Sequence, residues 1–316
     1  MDSHLHVVIG AGPVGSAVTR LLAEQGHQVR LITRAGSPGP DLPTAPGHVQ
    51  AVAADAADAE RLTELARGAE AVYNCASPPY HQWPQLWPPI AAALLTAAER
   101  TGAVLVTAGN LYGYGPVDGP MTESTPLAAT GTKGRVRNQM WRDALAAHEA
   151  GRVRIAEARG SDYLIATANS QLGDRVVPKL LSGRAGSILG DPGATHTWTA
   201  TTDMARTLVH LAADERAWGR AWHVPSHDPR TPQQVVDELC DLAGVRRVRV
   251  RRMPPVLLTL AQPFMPVLRE MPEVLHQHTR PWVMDSTAAR TELGLQPTPW
   301  EQILRDHLAQ YRPGPA

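Results

Sequence analysis

One stretch constrains this chain more than any other: Leu5-His6-Val7-Val8-Ile9 runs straight into Gly10-Ala11-Gly12-Pro13-Val14-Gly15. Five mostly apolar residues read as a strand buried on both faces. G-x-G-x-x-G set between such a strand and a helix is the pattern of a dinucleotide cradle. Gly10 permits the tight turn, Gly12 lets the backbone approach a pyrophosphate, and Gly15 lets the helix lie close to the strand. The phosphates then meet the positive end of the helix, so Gly10, Gly12, Pro13, Val14 and Gly15 are the expected contacts. Val14, Val18, Leu21 and Leu22 give the helix a sheet-facing stripe, Gly26 ends it, and Gln28 to Thr33 forms a second strand.

The end of that second strand discriminates between cofactors. An acidic residue there holds the ribose 2′-hydroxyl of NAD, whereas an arginine accommodates the 2′-phosphate of NADP. Thr33 and Arg34 occupy the place. With no carboxylate to repel a phosphate and a guanidinium able to grip it twice, NADP is expected over NAD. The bland alternative leaves Arg34 as a solvated loop charge.

Of the chain's 316 residues, thirty are basic and thirty acidic, which gives no broad footprint for nucleic acid or an anionic membrane. A small-molecule partner is the expectation. Two cysteines, Cys75 and Cys240, lie far apart without a C-x-x-C pair, which argues for a reducing compartment and against a zinc site. The first strand begins too early to leave room for a signal peptide, and no apolar run is long enough to span a bilayer, so a cytoplasmic protein is expected.

After Arg34 the pattern continues as a Gly/Pro-rich loop, a strand at 48–53 closing on Asp55, a helix at about 58–67 and a strand at 71–76 ending in Asn74-Cys75-Ala76. A loop dense in proline and aromatics, 77–83, includes Tyr80 and reads as pocket wall or rigid surface connection; an alanine-rich helix follows from Pro88 to Arg100. A strand at 103–107, a glycine- and tyrosine-rich loop, a helix at about 132–150 and a strand at 153–158 complete the alternation. This is α/β, a Rossmann doubly wound parallel sheet. Residues 1–160 are expected to be the NAD(P)-binding domain, and 161–316 a smaller intertwined substrate lobe with segments returning to the sheet.

On these residues the chain resembles the extended short-chain dehydrogenase/reductase superfamily, in its NAD-dependent epimerase/dehydratase branch. The carriers, besides the glycine motif, are Asp55, Asn74-Cys75-Ala76, Leu111-Tyr112-Gly113, Arg159, Thr202-Asp203-Met204-Ala205, and Asp285-Ser286 followed by Glu292-Leu293-Gly294-Leu295-Gln296-Pro297. The resemblance implies Asp55 near the adenine and Asn74, Cys75 and Ala76 against the cofactor. It also implies a Ser or Thr after the fifth strand and a Tyr-x-x-x-Lys on the next helix, where tyrosine passes the proton and lysine holds the nicotinamide ribose.

Neither arrangement is intact. Ala108 stands at the serine position, flanked by Thr107 and Asn110; Lys133 stands at the tyrosine position and Arg137 at the lysine position. Residues four apart share a helix face, so Lys133 and Arg137 can both point at the cofactor. Arg137 would hold the ribose. Lys133 is either the proton donor, an anchor for cofactor phosphate, or part of a solvated helix start. Tyr112 could donate a proton or stack on the ligand, with Asn110 beside it and Tyr114 as a further acid.

The second lobe departs from the family at Asp162-Tyr163-Leu164, which lacks the usual turn proline, and at His196, which replaces the arginine of sugar-nucleotide members. Tyr80, Tyr114, Tyr163, His196 and Trp198 are the expected substrate contacts, the alternative being that His196 caps a strand and Trp198 fills core. The apolar, proline-broken stretch from Pro254 to Trp282 reads as a lid, a homodimer surface or core. His276 and His278 have no third ligand at a recognisable spacing, so no metal is expected. The leading expectation is an atypical NADP-dependent reductase acting on a carbonyl, imine or activated alkene of a small apolar molecule. An epimerase or dehydratase with recycled cofactor, or a non-catalytic NADP-binding sensor, are the alternatives.

Overall fold

The computed structural model describes residues 3–39, 42, 48–167, 170–254 and 272–311. They form two compact units: residues 1–113, 127–160 and 204–224 make the first, and 114–126, 161–203 and 225–316 the second. One division between the units falls at 160, and the loop 114–126 belongs to the second unit. Residues 204–224 are the segment that returns to the first.

The first unit is built from β1 (Leu5–Ile9), α1 (Pro13–Glu24), β2 (Gln28–Thr33), β3 (Val49–Ala53), α2 (Ala59–Leu65), β4 (Ala69–Asn74), α3 (Trp83–Thr101), β5 (Val104–Asn110), α4 (Thr132–Glu149) and β6 (Ile155–Gly160). A late strand, Arg220–His223, pairs in parallel with β6. That pairing is why the chain has to return to this unit. The sheet has seven parallel strands, the late one first, then β6-β5-β4-β1-β2-β3. The order reverses between β1 and β4, and the crevice beyond the strand ends at such a reversal is where ligands bind in open parallel sheets.

Val7, Ile9, Ile32, Val72, Leu105 and Ile155 pack against Leu62 of α2, Leu94 of α3 and Ala147 of α4. Each large apolar side chain buried this way contributes about 1.5–3 kcal/mol. Ala93, Ala97 and Ala98, all buried, present a small-residue face that lets α3 lie close to the sheet. The helix starts at Trp83, five residues before the expected Pro88, and carries Pro88 and Pro89 within it. Two lost backbone hydrogen bonds are offset there by burial of Trp83 and Trp87.

The second unit has its own core, in which Val176, Val177, Leu180 and Ile188 meet Val235 and Leu239 of the helix Pro232–Ala243 and Ile303 and Leu304 of the helix Trp300–Ala309. Thr231 and Gln234 form a reciprocal capping box, which starts the helix Pro232–Ala243 where Thr231-Pro232 indicates. Two short parallel ladders, Asp162–Tyr163 with Trp198–Thr199 and Ser187–Ile188 with Arg251–Arg252, tie its loops. Of the stretch 254–282, residues 255–271 lie outside the described residues, so the lid or dimer expectation falls mostly there. Among the described residues no helix is long and apolar enough to cross a membrane.

Candidate functional site

The glycine turn separates two kinds of demand. Gly10 has φ +96°, and a Cβ there would meet the Cys75 carbonyl oxygen at 2.8 Å; a Cβ on Gly15 would lie 1.9 Å from the Gly10 oxygen. The chain itself requires both glycines. Gly12 is different, because its φ of −72° and ψ of 179° suit any residue and an added Cβ meets nothing within 4 Å. No described residue makes glycine necessary at 12, and its backbone is open for a group to lie against it. Gly12 is also the N-cap of α1, with no side-chain cap, Pro13 at the helix start and no acidic residue in the first turn. No side chain of α1 therefore competes for its first N–H groups, and the turn fits a dinucleotide pyrophosphate.

Around the turn, the Cys75 N–H donates to the Ile9 carbonyl at 3.0 Å and joins the ends of β1 and β4. Asn74 is buried and its Oδ1 accepts from the Ala76 N–H at 3.3 Å. Burial pushes the Cys75 thiol up to about 12, so it is a protonated wall, not a nucleophile. At the end of β2, Thr33 Oγ1 donates to the Ser37 carbonyl at 3.1 Å, and Arg34 is exposed with no hydrogen bond or ion pair among the described residues. Asp55 is exposed beyond β3, and its Oδ1 accepts from the Ala57 N–H at 2.9 Å, shaping the turn into α2.

The loops after β4 and β5 meet the start of α4. Asn110 Oδ1 accepts from the Tyr112 N–H at 3.1 Å and so holds the turn that presents Tyr112. Gly134 allows α4 to approach that turn, since a Cβ there would lie 2.6 Å from the Tyr112 oxygen. Asn138 fastens it, donating through Nδ2 to the Gly113 carbonyl at 3.0 Å and the Leu127 carbonyl at 3.2 Å. The result brings Lys133, 1% exposed, to 5.6 Å from the centroid of the Tyr80 ring, and the Tyr80 and Tyr112 hydroxyls share a hydrogen bond.

Arg137 takes a place the sequence does not suggest. Its guanidinium lies 4.3 Å from the Trp87 ring centroid and 4.9 Å from that of Trp83, and donates to the Ala108 carbonyl at 3.5 Å. The arginine expected to hold the ribose is thus stacked between the aromatics at the start of α3, because a weakly hydrated planar cation gains more on indole faces than a lysine would. The signal for it was the Trp83–Trp87 spacing of four, which puts both rings on one face. The buried pair Glu157 Oε1 and Arg159 Nε, 2.6 Å apart, lies on β6, with Gly109 leaving room for the carboxylate. A cavity of about 590 Å³ runs between α3, α4 and β4–β6, bounded by Asn74, Thr107, Leu95, Met140, Trp141 and Ile155 among others. None of the glycine-turn residues lines it.

In the second unit the expected contacts Tyr114, His196 and Trp198 are buried, and Tyr163 is half-buried. Tyr114 is 1% exposed and His196 fully buried. Trp198 is 3% exposed, donates from Nε1 to the Arg230 carbonyl at 3.0 Å and belongs to the core, so it and Tyr114 fill the interior and do not line a surface. Tyr163 is half-buried in its short ladder and its carbonyl accepts from Ser170. His196 Nδ1 lies 2.7 Å from Asp162 Oδ2, with its ring stacked 6.2 Å from that of His278. Burial raises the Asp162 carboxyl, but the hydrogen bond and charge of His196 outweigh it and hold the group below the usual carboxylate range. Asp203, at the expected helix start, accepts from Thr298 Oγ1 at 2.6 Å and its N–H at 3.0 Å, an anchor for the chain before the last helix. Among the described residues no three His, Cys, Asp or Glu side chains are grouped to hold a metal ion.

Comparison with known proteins follows this geometry. Residues 10–215 match the sequence profile of a family described as NAD(P)H-binding. No curated protein matches the sequence. Similar solved structures include a dTDP-glucose 4,6-dehydratase from Streptomyces venezuelae with NAD bound, at 20% identity and TM-score 0.76 over 98% of this chain and 97% of that one. A UDP-glucose 4-epimerase from Thermotoga maritima with UDP-glucose gives 17% identity and TM-score 0.79 over 98% of both chains. An epimerase from Methanothermobacter thermautotrophicus gives 17% and 0.80 over 98% of this chain and 92% of that one. At these identities the likeness is one of fold, which this chain shares with these dehydratase and epimerase structures.

Proposed function

Because the chain belongs to the NAD(P)H-binding family, we propose that it is an atypical short-chain reductase that uses NADPH to reduce a carbonyl, imine or activated alkene of a small apolar molecule. The observation that carries the reading is the pairing of an open Gly12 with a buried Lys133 beside two half-buried tyrosines. NADPH, when bound, supplies the hydride. Gly10, Gly12 and Gly15 with the first turn of α1 hold its pyrophosphate, and Asn74, Cys75 and Ala76 wall the turn. Arg34, exposed and uncommitted among the described residues, takes the 2′-phosphate. Lys133 and Tyr112 hold a proton at the edge where the substrate oxygen or nitrogen lies. The rings of Tyr80, Trp83 and Tyr112, packed with centroids 4.9 to 6.2 Å apart, favour an apolar ligand at that edge.

Calorimetric titration with the two cofactors tests this. NADPH should bind tighter than NADH by about 1.5–3 kcal/mol, one charge-assisted phosphate contact. Arg34→Ala should erase most of the difference. Equal affinities in the unmutated protein would refute the cofactor assignment. The fold shared with dehydratases and epimerases favours a second reading, an epimerase or dehydratase that recycles its cofactor. Stoichiometric loss of NADPH absorbance during turnover separates the two.

A further inference from the structure

Between the sheet and helices α3 and α4, the first unit keeps a space that the proposed chemistry does not use. The cavity of about 590 Å³ is of the size that takes a small organic molecule. None of Tyr80, Tyr112, Lys133 or the three turn glycines lines it. Its walls are apolar: Ala91 and Leu95 come from α3, and Val136, Met140 and Ala144, spaced by four and so on one face, come from α4.

The floor is different. Asn74 pairs in register with Thr107 and Thr107 with Glu157, so β4, β5 and β6 each set one polar residue in a row on the same face of the sheet. All three line the cavity. Asn74 is 2% exposed and Glu157 7%, yet each spends only part of its bonding capacity inside the chain. Asn74 Oδ1 accepts from the Ala76 N–H at 3.3 Å, and Glu157 Oε1 accepts from Arg159 Nε at 2.6 Å. Among the described residues Asn74 Nδ2, Thr107 Oγ1 and Glu157 Oε2 have no hydrogen-bond partner. Polar groups buried so deeply call for a partner. The carboxylate is also given room, because a Cβ on Gly109 of the neighbouring strand would lie 2.9 Å from it.

We propose that this cavity is a second binding site, for a small, uncharged, mostly apolar molecule ending in one group that both donates and accepts hydrogen bonds, such as a primary amide. The N–H of that group donates to Glu157 Oε2 and its oxygen accepts from Asn74 Nδ2, with Thr107 Oγ1 able to do either. The apolar remainder lies along α3 and α4. Glu157 is already balanced by Arg159, so a charged ligand would lose its hydration between apolar walls without gaining a counter-ion there. The site stands apart from the proposed reductase site and holds whether or not that reading does.

Octanamide is the probe, and N,N-dimethyloctanamide, which keeps the chain and the oxygen but has no N–H to donate, is its control. In calorimetry the unmutated protein should bind octanamide saturably and at least about 10-fold tighter than the dimethyl form. Ala91→Phe fills the space with a ring and should weaken octanamide by at least about 10-fold, with the urea unfolding midpoint unchanged or raised. Glu157→Gln still accepts from Arg159 through Oε1 but sets a donor where Oε2 was, so the preference for octanamide should shrink to about threefold or less. Ala92, exposed on α3, stands among the lining residues, and Ala92→Glu puts a charge there against the seating of a second copy. No saturable binding to either the unmutated protein or Ala92→Glu overturns the proposal. Equal affinity for the two probes, or octanamide binding that both Ala91→Phe and Glu157→Gln leave unchanged, overturns it as well.

Discussion

The glycine turn and the start of α4 belong to the same unit, yet they carry opposite relations between sequence and use. At the turn the structure sorts the glycines into two that the backbone needs, Gly10 and Gly15, and one, Gly12, that it does not. At α4 the residues expected to do chemistry have been exchanged, and their partners come from elsewhere in the unit: Tyr80 and Trp83 from the loop after β4, Trp87 from α3. The difference teaches that a backbone-mediated site can be read from its local pattern, because its geometry is set within about six residues. A side-chain site assembled across loops cannot, because nothing in the spacing says which rings meet.

The strongest way to break that comparison is inside the turn itself. Gly15→Ala drives a Cβ against the Gly10 carbonyl and should destabilise the protein by about 3 kcal/mol in urea unfolding, whereas Gly12→Val should leave unfolding unchanged and abolish cofactor binding in calorimetry. If Gly12→Val binds normally while folded, no pyrophosphate lies there. At α4, Lys133→Met should cut kcat by about 100-fold with little change in NADPH affinity. Arg137→Met should leave affinity nearly unchanged and cost about 1–2 kcal/mol of stability through the lost stack on Trp83 and Trp87. A large loss of NADPH affinity in Arg137→Met would instead return Arg137 to the ribose.

A third contrast lies at the opposite, amino-terminal end of β1. Burial, then the charges of His27 and His4, lower the His6 pKa to about 4 from 6.5. The unfolded chain takes up this proton first, so the contribution is complete above pH 6.5 and is lost as pH falls towards 4. Its size is at most about 3 kcal/mol. His6→Leu should flatten the acid limb of stability measured by urea unfolding across that range; an unchanged limb would show that His6 does not titrate with folding.

What was legible and what was not follows from how far apart the determining atoms lie. The parallel sheet and its glycine turn follow from apolar runs and glycine spacing, both local properties, while the strand order around the β1–β4 reversal is set by tertiary pairing. The helix Pro232–Ala243 starts where Thr231-Pro232 places it, because a cap satisfies backbone groups within three residues. By contrast Trp198, His196 and Tyr114 looked like ligand contacts since large polar-tipped rings suit both a pocket and a core. Burial alone separated these, with His196 bound to Asp162 and Trp198 to the Arg230 carbonyl.

The sequence by itself determined a dinucleotide-type parallel sheet, the position of its glycine turn and an exposed arginine, Arg34, just beyond the second strand. Backbone conformation and alternation of apolar residues are written within a few positions, so no distant partner was needed. Tertiary structure alone decided that Arg137 stacks on tryptophans, that Asn110 serves the Tyr112 turn, and that Tyr80 and Tyr112, 32 residues apart, share a hydrogen bond beside a buried Lys133. Those outcomes depend on which long side chains meet once helices and loops have packed, and that competition among rings, cations and carbonyls is settled by three-dimensional distance, which sequence spacing does not encode.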